Sequence, residues 1–222
     1  KLISNTVWFL CFVSLFTDIA SELLYPIMPI YLKSIGFSAL LIGLLEGFAE
    51  ATAGLSKGYF GNYSDRLGKR VPFVRFGYSL SAISKPLLAF GIFPLWVFFS
   101  RTLDRLGKGI RTSARDAILS AESTPETKGR IFGLHRGLDT FGAVVGPILA
   151  LVYLSFYPDH FKEMFLIAFI PGVASILLTL FLKDKVNIEK PTIVKGGFLS
   201  FLSYWKVSSV IYKKSVFGFL AF

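Results

Sequence analysis

Apolar and polar positions alternate along this chain on the scale of whole helices rather than single residues. Long runs rich in Leu, Ile, Val, Phe, Ala and Gly are separated by short charged or proline-containing stretches. Crossing about 30 Å of hydrocarbon takes roughly 20 helical residues, at about 1.5 Å of rise each. By that measure the pattern predicts six spans, near residues 6–32, 39–62, 72–91, 94–117, 130–156 and 164–182. The runs are continuous rather than ten-residue alternations, which argues against a β-barrel. From 183 to 197 the chain turns polar and basic, and Phe198, Phe201, Leu202 and Trp205 then form an amphipathic stretch suited to a membrane interface. The expected organisation is an all-α transmembrane six-helix bundle over 1–182, a cytoplasmic linker over 183–211 and the start of a further helix over 212–222.

Composition supports the membrane class: 222 residues, 53% of them hydrophobic, with a mean hydropathy of +0.61. A net charge of +10 invites a nucleic-acid reading, but its distribution argues otherwise. Lys33 and Lys162 are the only Lys or Arg in the predicted outward loops. The inward side holds Lys1, Arg66, Lys69, Arg70, Arg111, Arg115, Lys128, Arg130, Lys183, Lys185, Lys190, Lys195 and Lys206. That asymmetry follows the positive-inside rule and predicts a multi-pass membrane protein with a cytoplasmic N-terminus. The runs Gly107 to Ala121 and Ser14 to Leu32 resemble a group of bacterial permeases, which implies a bacterial inner membrane. A nucleic-acid partner would need the cations gathered on one soluble face. Cys11 is a single cysteine within the first span, so no disulfide framework is expected. No metal-ligand motif, nucleophile elbow or phosphate loop is present, so neither an enzyme nor a bound cofactor or metal is expected.

Charged residues inside the spans carry the chemistry, because each is costly in hydrocarbon unless it pairs, titrates or meets water. The first span has Asp18 and Glu22 one turn apart, then Pro26 and Pro29, which free backbone carbonyls and bend a helix. The second repeats the spacing with Glu46 and Glu50, Glu50 lying about 16 Å from the outer end. Gly47, Ala51, Gly54 and Gly58 give that span a small-residue face expected to pack closely. Lys85, followed by Pro86, is expected to neutralise an acid on a neighbouring helix. In the fourth span Arg101, Asp104, Arg105, Lys108, Arg111, Thr112 and Arg115 recur at steps of three or four and form one stripe. Such a stripe must face a water-filled path, an anionic ligand or acids on neighbours. Asp18, Glu22, Glu46 and Glu50 are the expected acids, and Asp104 can also pair within the stripe with Arg101 or Lys108. The fifth span adds His135, Arg136 and Asp139, where histidine is either a packed hydrogen-bonding residue or a titrating partner of the carboxylate.

The stretch Gly61-Asn62-Tyr63-Ser64-Asp65-Arg66-Leu67-Gly68-Lys69-Arg70 reads G-x-x-x-D-R-x-G-K-R between the second and third spans. It resembles the signature loop of the major facilitator superfamily of secondary transporters. Arg105-Leu106-Gly107-Lys108-Gly109 resembles that superfamily's R-x-x-Q-G motif, with Lys108 where glutamine is usual. Gly142 to Pro147 resembles its G-x-x-x-G-P motif, which is associated with exporters, with Ala150 and Leu151 in place of the trailing glycine pair.

The resemblance implies the N-terminal six-helix half of a twelve-helix transporter, partnered by a missing C-terminal half. It puts the first, second, fourth and fifth spans around a cavity and the third and sixth outside. It implies alternating access, with Gly61, Asp65, Arg66, Gly68, Lys69, Arg70, Arg111 and Arg115 as a conformational latch in which Arg111 and Arg115 meet Asp65. Gly142, Gly146 and Pro147 become a packing motif. Arg101, Asp104, Arg105 and Lys108 are the expected contacts for a small organic solute, anionic or polar, and Asp18, Glu22, Glu46, Glu50 and Asp139 the expected proton-coupling groups. A cation or divalent-metal exporter, or a drug efflux antiporter, is the alternative of the same fold.

Overall fold

The computed structural model of the chain describes residues 3–184 and 207–220, and the predicted amphipathic stretch from Phe198 to Trp205 lies outside them. Regular structure among the described residues is helical throughout. The helices are α1 (Asn5–Glu22), α2 (Met28–Ser34), α3 (Ala39–Leu67), α4 (Val71–Phe90), α5 (Pro94–Ala121), α6 (Lys128–Phe156), α7 (Phe161–Thr179) and α8 (Val210–Leu220). The chain divides into two units, Lys1–Lys190 with the first seven helices and Pro191–Phe222 with α8.

Helix boundaries follow local chemistry. Ser4 and Ser38 cap α1 and α3, their hydroxyl oxygens accepting from the Val7 and Leu41 amides at 3.3 and 3.2 Å. The expected first span of 6–32 is broken into α1 and α2. Tyr25 N–H turns back to the Glu22 carbonyl at 3.2 Å, and Pro26 has no N–H to continue the ladder. Pro29 then stands in the first turn of α2, where a missing donor costs nothing. The second span runs to Leu67 rather than 62, so most of the signature stretch is helix. Gly68, at φ +63°, takes the left-handed cap conformation that ends it.

Among the described residues three helices, α3, α6 and α7, are long and apolar enough by themselves to cross a membrane. In α5 three of the charges that lower its hydropathy, Arg101, Asp104 and Arg111, are buried in the bundle, while Lys108 is exposed. Large apolar side chains such as Phe76, Leu95, Phe99, Ile148 and Ile170 are exposed on the outside, as lipid contact requires.

In the first unit the packed neighbours run α6–α1–α7–α4–α5–α3, so α7 and α4 join the α1/α6 pair to the α3/α5 pair. Apolar packing gathers at the two ends. At one end α2 closes over α7, with the Tyr31 ring edge-on to Phe165 at 4.9 Å. At the end bearing the signature stretch, Val7, Val71, Val74, Tyr78 and Leu182 form a second cluster.

Between the ends the helices meet at glycine. A methyl group at Gly142 would lie 2.6 Å from the Leu15 carbonyl oxygen, and one at Gly146 would lie 2.7 Å from the Leu23 nitrogen. One at Gly107 would lie 2.6 Å from the Gly77 carbonyl, and one at Gly109 the same distance from the Ala53 carbonyl. Lipid supplies no hydrophobic drive between helices, so van der Waals contact at such close approach holds them together. The face expected to pack on α3 does not do so here. A methyl group at Gly47, Gly54 or Gly58 would meet no neighbour within 4 Å, and Ala51 is exposed. The α3/α5 contact turns the other way, through Ala53, Ser56 and Gly61.

Gly142→Ala and Gly146→Ala are therefore expected to destabilise the bundle, each by about 1–3 kcal/mol from collision with α1 backbone. Gly133→Ala and Gly137→Ala, whose surroundings are open, should stabilise it by up to about 1 kcal/mol through helix propensity. Thermal unfolding of the four purified variants in detergent checks this ordering.

Candidate functional site

The charged stripe of α5 is divided among three neighbours rather than facing one. Toward α3, the Arg101 guanidinium donates from Nε at 3.0 Å and from Nη2 at 2.7 Å to Glu46 Oε1, with a further 2.7 Å bond to Oε2. One turn on, Arg105 Nη1 lies 3.3 Å from Glu50 Oε1. Both pairs are offset by 55 residues (101 − 46 and 105 − 50), so α3 and α5 run parallel in a constant register and their one-turn spacings coincide. Glu46 and Glu50 are thus two of the expected balancing acids. Lys108, a further turn along, is exposed and has no ion pair among the described residues.

Toward α4, Asp104 does not pair with Arg101 or Lys108 as its spacing allows. It is buried, accepts from the Ser81 hydroxyl, and lies 3.4 Å from Lys85 Nζ, which also donates to the Ser81 carbonyl at 2.9 Å. The expected neutralisation of Lys85 is present, with Asp104 as the acid. Burial decides this choice. Arg101 turns Nε and Nη2 to Glu46, while Lys85 has no second ion pair among the described residues.

Arg111 and Arg115 do not reach Asp65. The Arg111 guanidinium stacks 4.6 Å from the Tyr78 ring centroid, with Nη1 lacking a hydrogen-bond partner. Arg115 donates to Asp116 Oδ1 at 2.9–3.0 Å and to the Ser14 hydroxyl at 3.2 Å, which ties α5 to α1. Asp65, on the last turn of α3, instead meets Arg70 at 3.4 Å, and Arg70 Nη1 also donates to the Ala117 carbonyl at 3.1 Å. Arg70 follows the helix end directly and so reaches the carboxylate first. Gly61 is pressed against Ser113, and Arg66 and Lys69 are exposed.

A second polar cluster joins α1 to α6. Asp139 is buried, accepts from Ser14 at 2.9 Å and pairs with Arg136 at 2.9 Å. Its carboxyl faces that of Asp18, and the charges of Arg111 and Arg115 are felt there as well. Asp18 therefore sits with Asp139 rather than in an ion pair with α5. Glu22 has no ion pair among the described residues. His135 is buried one turn before Asp139 and its Nε2 has no hydrogen-bond partner among the described residues. Gly142 brings α1 and α6 close enough for the two carboxyls to meet, since Asp18 Cβ would lie 3.2 Å from a methyl group there.

Sequence reasoning missed Ser14, Tyr78, Ser81 and Asp116. Hydroxyl and tyrosine side chains in apolar runs carry no charge signal. Asp116 was legible only as the residue after Arg115.

The family model for the Major Facilitator Superfamily matches residues 10–222. The chain belongs to the major facilitator superfamily. It is 39% identical over 186 residues to an uncharacterized MFS-type transporter of Methanocaldococcus jannaschii, a match covering 82% of this chain and 46% of that protein. It is 28% identical over 157 residues to the multidrug resistance protein MdtH of Yersinia pestis, covering 69% of this chain and 38% of that one. The chain spans less than half the length of these relatives. Among solved structures it is similar to the human organic anion transporter MFSD10 (TETRAN), with a TM-score of 0.66 and 21% identity over 84% of this chain and 49% of that one. It is also similar to a peptide transporter POT in complex with sulfate, with a TM-score of 0.71 and 16% identity over 97% of this chain and 45% of that one. These two likenesses concern the fold. The chain belongs to a family of membrane transporters, and its described residues form the all-α bundle of a half-transporter.

The Lys85–Asp104 pair gives a direct test of the site's charge balance. Lys85→Met alone leaves a buried carboxylate uncompensated and is expected to cost about 3–5 kcal/mol, most of it regained in Lys85→Met with Asp104→Leu. Unfolding midpoints of the single and double variants measure the recovery.

Proposed function

We propose that this protein moves a small organic solute, anionic or polar, across the membrane by alternating access, driven by protons. The observation that carries the reading is the parallel ladder of Glu46–Arg101 and Glu50–Arg105 followed by Lys108, which is exposed and outside any ion pair among the described residues. Arg101 and Arg105 are each balanced by their own glutamate, which leaves Lys108, where the superfamily's motif usually has glutamine, as the unpaired cation of this ladder among the described residues. A leftover ammonium on a cavity face attracts a carboxylate, phosphate or sulfonate group. Asp18 and Asp139, with Glu46 and Glu50, are the groups we assign to proton uptake and release. A carboxyl beside another carboxyl holds a proton that an approaching cation displaces, and relative motion of α1, α5 and α6 changes that neighbourhood.

In this reading α1, α3, α5 and α6 border the cavity, and the open glycine faces of α3 and α6 receive the second six-helix half of the transporter. We assign residues 183–211 to the cytoplasmic linker and 212–222 to the start of the next span; α8 begins at Val210, two residues before that boundary. The N-terminus is cytoplasmic, in a bacterial inner membrane, and Asp65, Arg66, Lys69 and Arg70 act as the latch on that side.

The test is transport by the complete protein in proteoliposomes, against a panel of organic anions, zwitterions, lipophilic cations and divalent metals. An organic anion is the expected cargo. Lys108→Gln should then raise its KM about tenfold or more, with Lys108→Arg close to wild type. Selective carriage of lipophilic cations or metals would replace the anion reading with an exporter of those solutes. Asp18→Asn and Asp139→Asn should each abolish uptake driven by a pH gradient while solute counterflow persists. Equal loss of both activities would remove the proton role.

A further inference from the structure

The first residues after α7 form a strap across the signature-bearing end of the bundle. Phe181 stacks on Phe9 of α1 at 5.2 Å, and Leu182 is buried among Val71, Val74 and their neighbours. Two hydrogen-bonding groups then fasten α7 and α4 reciprocally. The Arg75 guanidinium, on α4, donates to the Thr179 and Leu180 carbonyls at 3.2 Å and to the Leu182 carbonyl at 2.9 Å, gathering carbonyls at and just beyond the end of α7. Asp184 Oδ1 accepts from the Arg70 and Val71 amides at 2.8 and 2.9 Å, satisfying the orphan donors at the start of α4. No residue local to α4 supplies that cap.

Arg70 is the junction. Its amide is held by Asp184, while its guanidinium holds the Asp65 carboxylate on α3 and the Ala117 carbonyl on α5. We infer that Asp184 is a positioning residue for the Arg70–Asp65 contact, and that the strap from Leu180 to Asp184 transmits force on the following chain to the signature stretch. The Asp184 bonds fix the backbone from which the Arg70 side chain reaches two helices. A pull on the chain beyond Asp184 lengthens those bonds first, frees the start of α4, and lets Arg70 swing off α3 and α5. This rests on the latch role proposed above only for its use in transport. The mechanical link stands on the contacts themselves.

Hydrogen exchange of the complete transporter in nanodiscs, with no solute added, tests the link separately from transport. Asp184→Ala should raise exchange about tenfold or more at the amides of Arg70 and Val71, and also in the last turn of α3, from Asp65 to Gly68. Asp184→Asn keeps an acceptor oxygen and should stay near wild type. Arg70→Gln should loosen the last turn of α3 to a similar degree, and adding Asp184→Ala to it should produce little further change there. Arg75→Gln, which opens the strap from its other side, should reproduce the pattern if the Asp184 variant does not fold. An increase confined to Arg70 and Val71, or effects of Arg70→Gln and Asp184→Ala on α3 that multiply, would overturn the inference.

Discussion

A charge that has left water must find its opposite within the protein, and in this bundle that requirement settles which helix stands beside which. α5 carries Arg101, Asp104, Arg105, Arg111 and Arg115 along faces that lipid cannot accept. They are met by side chains from three directions: Glu46 and Glu50 from α3, Lys85 and Tyr78 from α4, Ser14 from α1. The helix is therefore the hub of the first unit, although by hydropathy it is a poor spanning segment. Pairing a buried ion does not add much net stability over an apolar contact, but removing one partner is costly. The arrangement consequently selects one packing over others more than it strengthens that packing.

Close approach does the complementary work. Ion pairs and hydroxyl bonds reach across only a few ångströms, and α1 could not bring Ser14 and Asp18 to Asp139 if Gly142 and Gly146 bore side chains. The same holds for α5, where Gly107 meets Gly77 of α4 and Gly109 meets α3 within one helical turn of Arg105 and Lys108. The motif that looked like a site for chemistry is thus also a packing device: its charged positions and its glycines point in different directions on one helix.

At the signature-bearing end, helix termini replace buried charges as the organising problem. The start of α4 and the end of α7 each leave backbone groups without intrahelical partners. Asp184 and Arg75 answer them across the helix pair, and Arg70 extends the answer to α3 and α5. The residues that follow α7 belong structurally to the bundle as far as Asp184, although by composition alone they read as the beginning of a linker.

What the amino-acid order determined by itself was everything periodic or local. Run length gave the helices, Ser4, Ser38 and Gly68 bounded two of them locally, Pro26 and Pro29 gave a bend, and one-turn spacing gave the charged faces of α3 and α5. The motif residues gave the family, which the match over 10–222 then established. Partner identity was not legible, because a spacing of three or four states which face a charge occupies and not which helix lies opposite. Asp104 chose Lys85 over two cations of its own helix, Asp65 chose Arg70 over Arg111 and Arg115, and the glycine face of α3 was left open. Those outcomes depend on helix order, register and depth, which are set by all the contacts at once and so exist only in the folded bundle.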